Sequence, residues 1–100
     1  MHLINGRTQF PAAIDAAMRA RLAALAEAVR RLHSGCIEYR FSVDVEDPTV
    51  LRLTERWEKA EDFVRHGQTP EVAEIGRVLA EAQTRATEIL QFSGEPANVV

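Results

Sequence analysis

Between Ala12 and His33 the apolar residues Ile14, Met18, Leu22, Leu25, Val29 and Leu32 recur at intervals of four, four, three, four and three. That spacing lines one face of an α-helix. Pro11 sits at its entry, where a missing N–H costs nothing, and Ser34-Gly35 supplies the stop. Alanines at 17, 24 and 28 allow close approach to a sheet, while Arg19, Glu27, Arg30 and Arg31 are left for water. After the stop the period changes to two. Ile37, Tyr39, Phe41, Val43 and Val45 alternate with Cys36, Glu38, Arg40, Ser42 and Asp44, and the β-branched and aromatic content predicts a strand over 36–45. Glu46-Asp47-Pro48-Thr49 is a turn. A second strand follows over 50–57, with Leu51, Leu53, Glu55 and Trp57 on one side and Val50, Arg52, Thr54 and Arg56 on the other. Two strands joined so closely predict an antiparallel hairpin.

The flanks complete the pattern. His2 to Thr8 reads as a short strand of mixed polarity. Glu58 to His66 is a short helix with Ala60, Phe63 and Val64 inward, ended by Gly67. Thr69-Pro70 opens a further helix, from Glu71 to about Ala82, with Val72, Ile75 and Leu79 inward. Arg85 to Ser93 alternates again. The order is strand, helix, strand, strand, broken helix, strand. This is an α+β, ferredoxin-like split βαβ arrangement with a four-stranded antiparallel sheet. It forms one domain over residues 1–94, followed by a frayed tail over 95–100. Helices on one face leave the other bare, and Glu38, Arg40, Arg52 and Glu88 make that face partly polar. A second copy of the sheet would cover it, so a two-fold homodimer is expected.

Composition narrows the function classes. One hundred residues make a single domain; 46% are hydrophobic and 27% charged, as in ordinary globular chains. The net charge of −3 offers no basic excess for a phosphate backbone, which argues against nucleic acid. The single cysteine, Cys36, excludes an internal disulfide. No apolar run approaches the roughly 20 residues that span a bilayer, and the N-terminal segment lacks the order of a secretory signal, so no membrane partner and a cytoplasmic location are expected. His33-x-x-Cys36 offers only two ligands, too few for a metal site. The five glycines build no phosphate-cradling loop.

Four stretches carry a family resemblance: Ser34-Gly35-Cys36-Ile37-Glu38-Tyr39, Glu46-Asp47-Pro48, Glu55-Arg56-Trp57 and Phe63-Val64-Arg65-His66. In order and spacing they resemble the antibiotic biosynthesis monooxygenase family. There a Gly-Cys-x-x-Tyr strand, an acidic-Pro turn, a Glu-x-Trp strand end and a short helix ending in histidine follow one another. The resemblance covers about residues 2 to 93 and implies a ferredoxin-like dimeric α+β barrel. It also implies, among other activities, cofactor-free oxygenation of quinols or polycyclic aromatic phenols. Two departures stand out. The acidic-Pro-Gly-Cys run that often opens the second strand is here His33-Ser34-Gly35-Cys36, and a histidine often found after Thr-Pro or Ser-Pro is here Glu71. The haem-degrading branch is set aside. Its asparagine is matched by Asn5, but His66 stands in place of its tryptophan and Gly76 in place of its histidine.

An oxygenase without metal or flavin draws its electrons from the substrate. It needs a dry apolar slot, a proton acceptor and donors that stabilise the substrate anion. Trp57, Phe63, Tyr39 and Leu53 are the candidate slot and Arg40 a candidate substrate contact. His66 is the candidate base, Asn5 a donor or acceptor toward a ring oxygen, and Glu55 a group that holds the imidazole. Plain alternatives stand beside these. Trp57 and Tyr39 suit a core, His66 suits the negative end of a helix dipole, and Cys36 suits a small buried hydrophobe. Glu55, a carboxylate on an apolar face, needs a partner such as Arg7 or Arg40. Two other functions fit the same fold. One is a non-catalytic ligand-binding or stress-related dimer; the other is an isomerase of a small carbonyl compound, which requires Arg7 or Arg40 in the pocket.

Overall fold

The computed structural model describes residues 1–97. Strand β1 (His2–Gln9) leads to helix α1 (Ala16–Leu32), then the hairpin β2 (Cys36–Val43) and β3 (Val50–Trp57). Two helices, α2 (Ala60–His66) and α3 (Pro70–Glu81), precede β4 (Ala86–Ser93). The strands pair antiparallel in the order β2-β3-β1-β4, which is the ferredoxin-like topology expected from the pattern. The helices cover one face.

Alternation decides which residues go where. Ile4 and Thr8 on β1, Tyr39 on β2, and Leu51, Glu55 and Trp57 on β3 are buried on the helix side. There they meet Leu22, Ala26 and Val29 of α1 and Ile75 and Val78 of α3. Each large apolar side chain so buried contributes roughly 1.5–3 kcal/mol. Leu25, Phe41 and Leu79 pack against both halves of this core and join them.

Local chemistry moves several boundaries. Helix α1 begins at Ala16, not Ala12, because Asp15 caps it, accepting from the Met18 amide at 2.8 Å. The preceding segment is instead tied to the hairpin turn, with the amides of Phe10 and Ile14 donating to the carbonyls of Thr49 and Pro48 at 2.8 and 3.0 Å. The alanine that admits the sheet is Ala26; Ala17 and Ala24 face water, and Leu32 is exposed. Strand β2 stops at Val43 because the Asp44 carboxylate accepts from the amides of Glu46 and Asp47 and turns the chain, leaving Val45 fully outside. A register shift between Cys36 and Glu38 inserts Ile37 as an extra residue. It turns Cys36 toward the core and Ile37 outward, the reverse of plain alternation.

Strand β4 pairs with β1 yet buries none of its residues. Gly94, the last residue of the predicted domain, donates from its amide to the Met1 carbonyl at 3.0 Å; of the predicted tail over 95–100, residues 98–100 lie outside the described residues. Among the described residues no helix is long and apolar enough to cross a membrane.

Candidate active site

Between the sheet and helices α2 and α3 lies a cavity of about 270 Å³. Its floor is Ile4, Gly6, Tyr39, Leu53 and Glu55; its roof is Phe63, His66, Val72, Ile75, Gly76 and Leu79. Ala86 and the half-exposed Ile89 of β4 stand at one side. Two glycines make room from opposite walls. A side chain at Gly6 would press on Leu53, with Cβ atoms 3.2 Å apart, whereas one at Gly76 would meet nothing within 4 Å. Gly76 therefore leaves space in the cavity at the cost of about 1 kcal/mol of helix propensity.

Two polar groups of the cavity, Glu55 and His66, belong to a connected row that continues away from it. Glu55 lies on the helix side of β3 and is 4% exposed. The indole N–H of Trp57, two residues on and on the same face, donates to its Oε1 at 3.0 Å. His66 Nε2 stands 3.7 Å from that same oxygen. On the other side of the ring, His66 Nδ1 is 2.6 Å from His33 Nδ1, and His33 Nε2 is 2.7 Å from Oε1 of Glu71. A metal bridging the two imidazoles with bonds of about 2.0–2.1 Å would hold their nitrogens roughly 3.3 Å apart. At 2.6 Å they share a proton instead. Tyr39, Trp57 and Phe63 surround the His66 ring, with centroids 5.2, 4.7 and 6.2 Å away.

One small residue brings the two histidines together. Gly35 has φ of 81°, a conformation that ends α1 and that only glycine adopts freely. A Cβ there would lie 2.1 Å from Oδ2 of Asp62, so the missing side chain also lets α2 settle against the α1–β2 turn. Asp62 fixes the start of α2 by accepting from the Lys59 amide at 3.2 Å. His33, the residue that closes α1, then faces His66, the last residue of α2. Three residues further on, Thr69 caps α3 and donates from its hydroxyl to the His66 carbonyl at 2.7 Å, which sets Glu71 within reach of His33.

Burial governs the protonation of this row. It pushes the Glu55 carboxyl up to about 7, against the opposing hydrogen bond from Trp57. It brings His66 down to about 4, helped by the neighbouring His33 and opposed by Glu71. At neutral pH His66 is thus biased toward its neutral form, while Glu55 stands near its midpoint, able to accept or give a proton. Glu71, at the outer end, is held below the usual carboxylate range, first by the His33 hydrogen bond. The Tyr39 phenol is lifted well above its usual range, chiefly by burial and then by Glu55.

The structure divides the candidate residues. His66, Glu55, Tyr39, Phe63 and Leu53 line one cavity. Trp57 is wholly buried behind it and acts on it through Glu55. Asn5 does not reach it: as an odd-numbered residue of β1 it lies on the uncovered face, opposite Thr54 and Leu90. Arg40 and Arg7 lie on that face too, so Glu55 is partnered by Trp57 and His66 and by neither arginine. Because β2 is an edge strand, Arg40 also borders a separate groove that runs beside α1. His66 points inward, so it does not serve as an exposed cation at the end of α2. His33 was visible in the sequence only as half of a poor metal motif, and Glu71 only as a departure from a pattern.

The family model for antibiotic biosynthesis monooxygenases matches residues 1–78. The chain belongs to this family. No curated protein matches the sequence. Among solved structures, one from Deinococcus radiodurans bearing the name of the same family is 25% identical, covers 100% of this chain and 99% of its own, and superposes with a TM-score of 0.78. SnoaB, a cofactor-independent oxygenase from Streptomyces nogalater, shares the fold at 14% identity, with 96% and 94% coverage and a TM-score of 0.76. A Bacteroides thetaiotaomicron protein described as a possible oxidoreductase does so at 18% identity, 91% and 94% coverage and a TM-score of 0.73.

As a member of the antibiotic biosynthesis monooxygenase family, the chain departs from the family pattern noted above at His33 and at Glu71. These two side chains touch, at 2.7 Å. The two departures, far apart in the chain, therefore meet in space.

Proposed function

We propose that the protein is a cofactor-independent monooxygenase that uses dioxygen to oxidise a quinol or a polycyclic aromatic phenol. The observation that carries this reading is the buried carboxyl of Glu55, facing an apolar cavity and poised near neutrality by its surroundings. Such a group accepts a proton from a phenol or an activated C–H inside a water-poor site. The substrate anion, held among Tyr39, Phe63 and Leu53, then passes an electron to dioxygen. At about 270 Å³ the cavity is close to the lower bound for small-molecule sites, which suits a compact aromatic ligand. In this assignment Glu55 takes the proton directly and His66 works behind it. Neither Arg7 nor Arg40, the cations on which the isomerase alternative rests, lines the cavity, where Arg52 is the one arginine among the described lining residues.

The active form in this reading is a homodimer in the cytoplasm, joined through the uncovered sheet face. Leu3, Leu90 and Phe92 share that face, and Leu90 and Phe92 are about half exposed.

Oxygen uptake with a panel of hydroquinones and anthrones tests the reading. Glu55→Gln is expected to slow uptake by roughly 10²–10⁴-fold. Gly76→Leu, at a lining position where a Cβ meets nothing within 4 Å, is expected to abolish uptake while leaving the fold intact. Asn5→Ala is expected to retain it. Uptake that survives both Glu55→Gln and Gly76→Leu removes the site. No uptake with any compound, together with binding that Gly76→Leu blocks, marks the protein as a non-catalytic ligand-binding dimer.

A further inference from the structure

The row Glu55, His66, His33, Glu71 runs from the cavity to the protein surface. Glu55 is 5% exposed at its side chain, His66 4%, His33 7% and Glu71 25%. Four groups leave three gaps between them. The gap between Glu71 and His33 and the gap between the two imidazoles are 2.7 and 2.6 Å wide, and each must hold one proton, since two lone pairs at that distance would repel. The third gap, from His66 Nε2 to Glu55, is 3.7 Å and lies beyond hydrogen-bond length. With Glu55 ionised and His66 neutral this gap is empty, and a lone pair faces a carboxylate. A proton arriving on Glu55 can fill it, because a carboxyl O–H donates to Nε2 after a small side-chain rotation.

We propose that Glu71, His33 and His66 are a proton conduit that carries a proton accepted by Glu55 in the cavity out to the surface edge of the molecule, and returns it. The role in catalysis rests on the monooxygenase reading; the conduit itself rests on the row of contacts. Once three protons occupy three gaps, all three can slide one place outward. The Glu55 proton passes to His66 Nε2, the His66 Nδ1 proton passes to His33 Nδ1, and the His33 Nε2 proton passes to Glu71. Proton number is conserved, and the negative charge moves from Glu71 to Glu55. The backward slide restores the starting tautomers.

The chemistry needs both directions. An activated CH₂ of an anthrone gives one proton to Glu55 and becomes a carbanion. The carbanion and dioxygen form a C–O bond by electron transfer, giving a peroxide anion. The returning proton converts this anion to a hydroperoxide, which loses water to leave a C=O group. The CH₂ carbon is oxidised by four electrons and dioxygen is reduced by four, with one oxygen in the product and one in water. No outside reductant is required. Holding the proton at the far end of the row keeps it from quenching the carbanion before dioxygen adds. Among the described residues, the titratable groups of β2 that face the row are Tyr39 and Cys36. The Tyr39 phenol and the Cys36 thiol are both held toward the neutral form, first by burial, so neither competes for the proton near neutral pH.

The ring nitrogens report the conduit directly. In ¹⁵N NMR of the labelled protein between pH 5 and 8, the His33 nitrogens are expected to shift with the inflection of Glu55, although His33 does not touch Glu55. Glu55→Gln is expected to abolish that inflection at His33. Glu71→Gln, at a part-exposed position, is expected to move the shared proton between the two Nδ1 atoms. With an active substrate, Glu71→Gln is expected to lower kcat at least tenfold with KM unchanged. A pH-dependent shift of the His33 nitrogens that Glu55→Gln leaves unaltered overturns the conduit, whether or not any substrate is found. Absence of oxygen uptake alone strikes the monooxygenase reading and leaves the NMR result to decide the conduit.

Discussion

The two faces of the sheet are built from the same four strands and obey opposite rules. On the covered face Ile4, Tyr39, Leu51 and Trp57 exclude water, and the carboxyl of Glu55 is pushed up to about 7 by that exclusion. On the open face the charges of Arg56 and Glu38 meet at 3.1 Å at the surface, and those of Arg52 and Asp44 at 3.0 Å. Exposed pairs of this kind contribute at most about 1 kcal/mol. A glutamate two residues from Trp57 is a buried carboxyl poised near neutrality on one face; a glutamate on the other is part of a solvated surface. Residue type does not set the chemistry, and residue parity along a strand does.

The largest contrast should appear in stability. Trp57→Ala, which empties the centre of the covered face, is expected to cost about 3–5 kcal/mol. Asn5→Ala on the open face is expected to fall within about 0.5 kcal/mol of the parent chain. Urea unfolding measures both, and equal losses would mean that the faces are not distinct.

A subtler contrast lies within the covered face and concerns pH. Glu55 has a folded pKa above its unfolded value of about 4.5, so the stability it contributes is complete below pH 4.5 and is lost as pH rises through about 7. His66 has a folded pKa of about 4, below its unfolded 6.5, so its contribution is present above pH 6.5 and is lost as pH falls through about 4. Each amounts to roughly 3 kcal/mol, and between pH 4.5 and 6.5 the two oppose each other. The parent chain should therefore show little net slope from this pair. Glu55→Gln should grow more stable as pH climbs from 4 to 6.5, whereas His66→Gln should weaken as pH climbs from 4.5 to 7. Parallel slopes in the two variants would refute the assignment.

The smallest effect concerns the open face and assembly. Leu90→Asp is expected to weaken self-association at least tenfold, about 1.4 kcal/mol, in sedimentation or size exclusion. It should leave the Glu55 inflection in place. Loss of that inflection with the dimer would couple the faces and blur the comparison.

Much of the fold was legible because burial writes a period into the chain. The four-residue and three-residue steps of α1, the alternation over 50–57 and the Thr69-Pro70 start of α3 reappear in the structure with shifts of a few residues. The misplacements each have a local cause that hydrophobic pattern does not carry: the Asp15 cap, the Asp44 turn and the extra residue Ile37. The site was half legible. Glu55, Tyr39 and Leu53 share one side of their strands with Trp57, and the end of α2 pointed to His66.

Asn5 and Arg40 suit the cavity by their chemistry, but strand parity pairs both with Thr54, away from Glu55 and the cavity. By itself the sequence determined the elements, the ferredoxin-like order and the family, because these follow from period and from short motifs. Only the tertiary structure decided that His33 and Glu71 join His66 and Glu55 in one row. Those four residues come from the end of α1, the start of α3, the end of α2 and the middle of β3. Their meeting depends on a missing side chain at Gly35 and a close approach by Asp62. Contacts between elements so far apart in the chain are fixed by packing in three dimensions and leave no period behind.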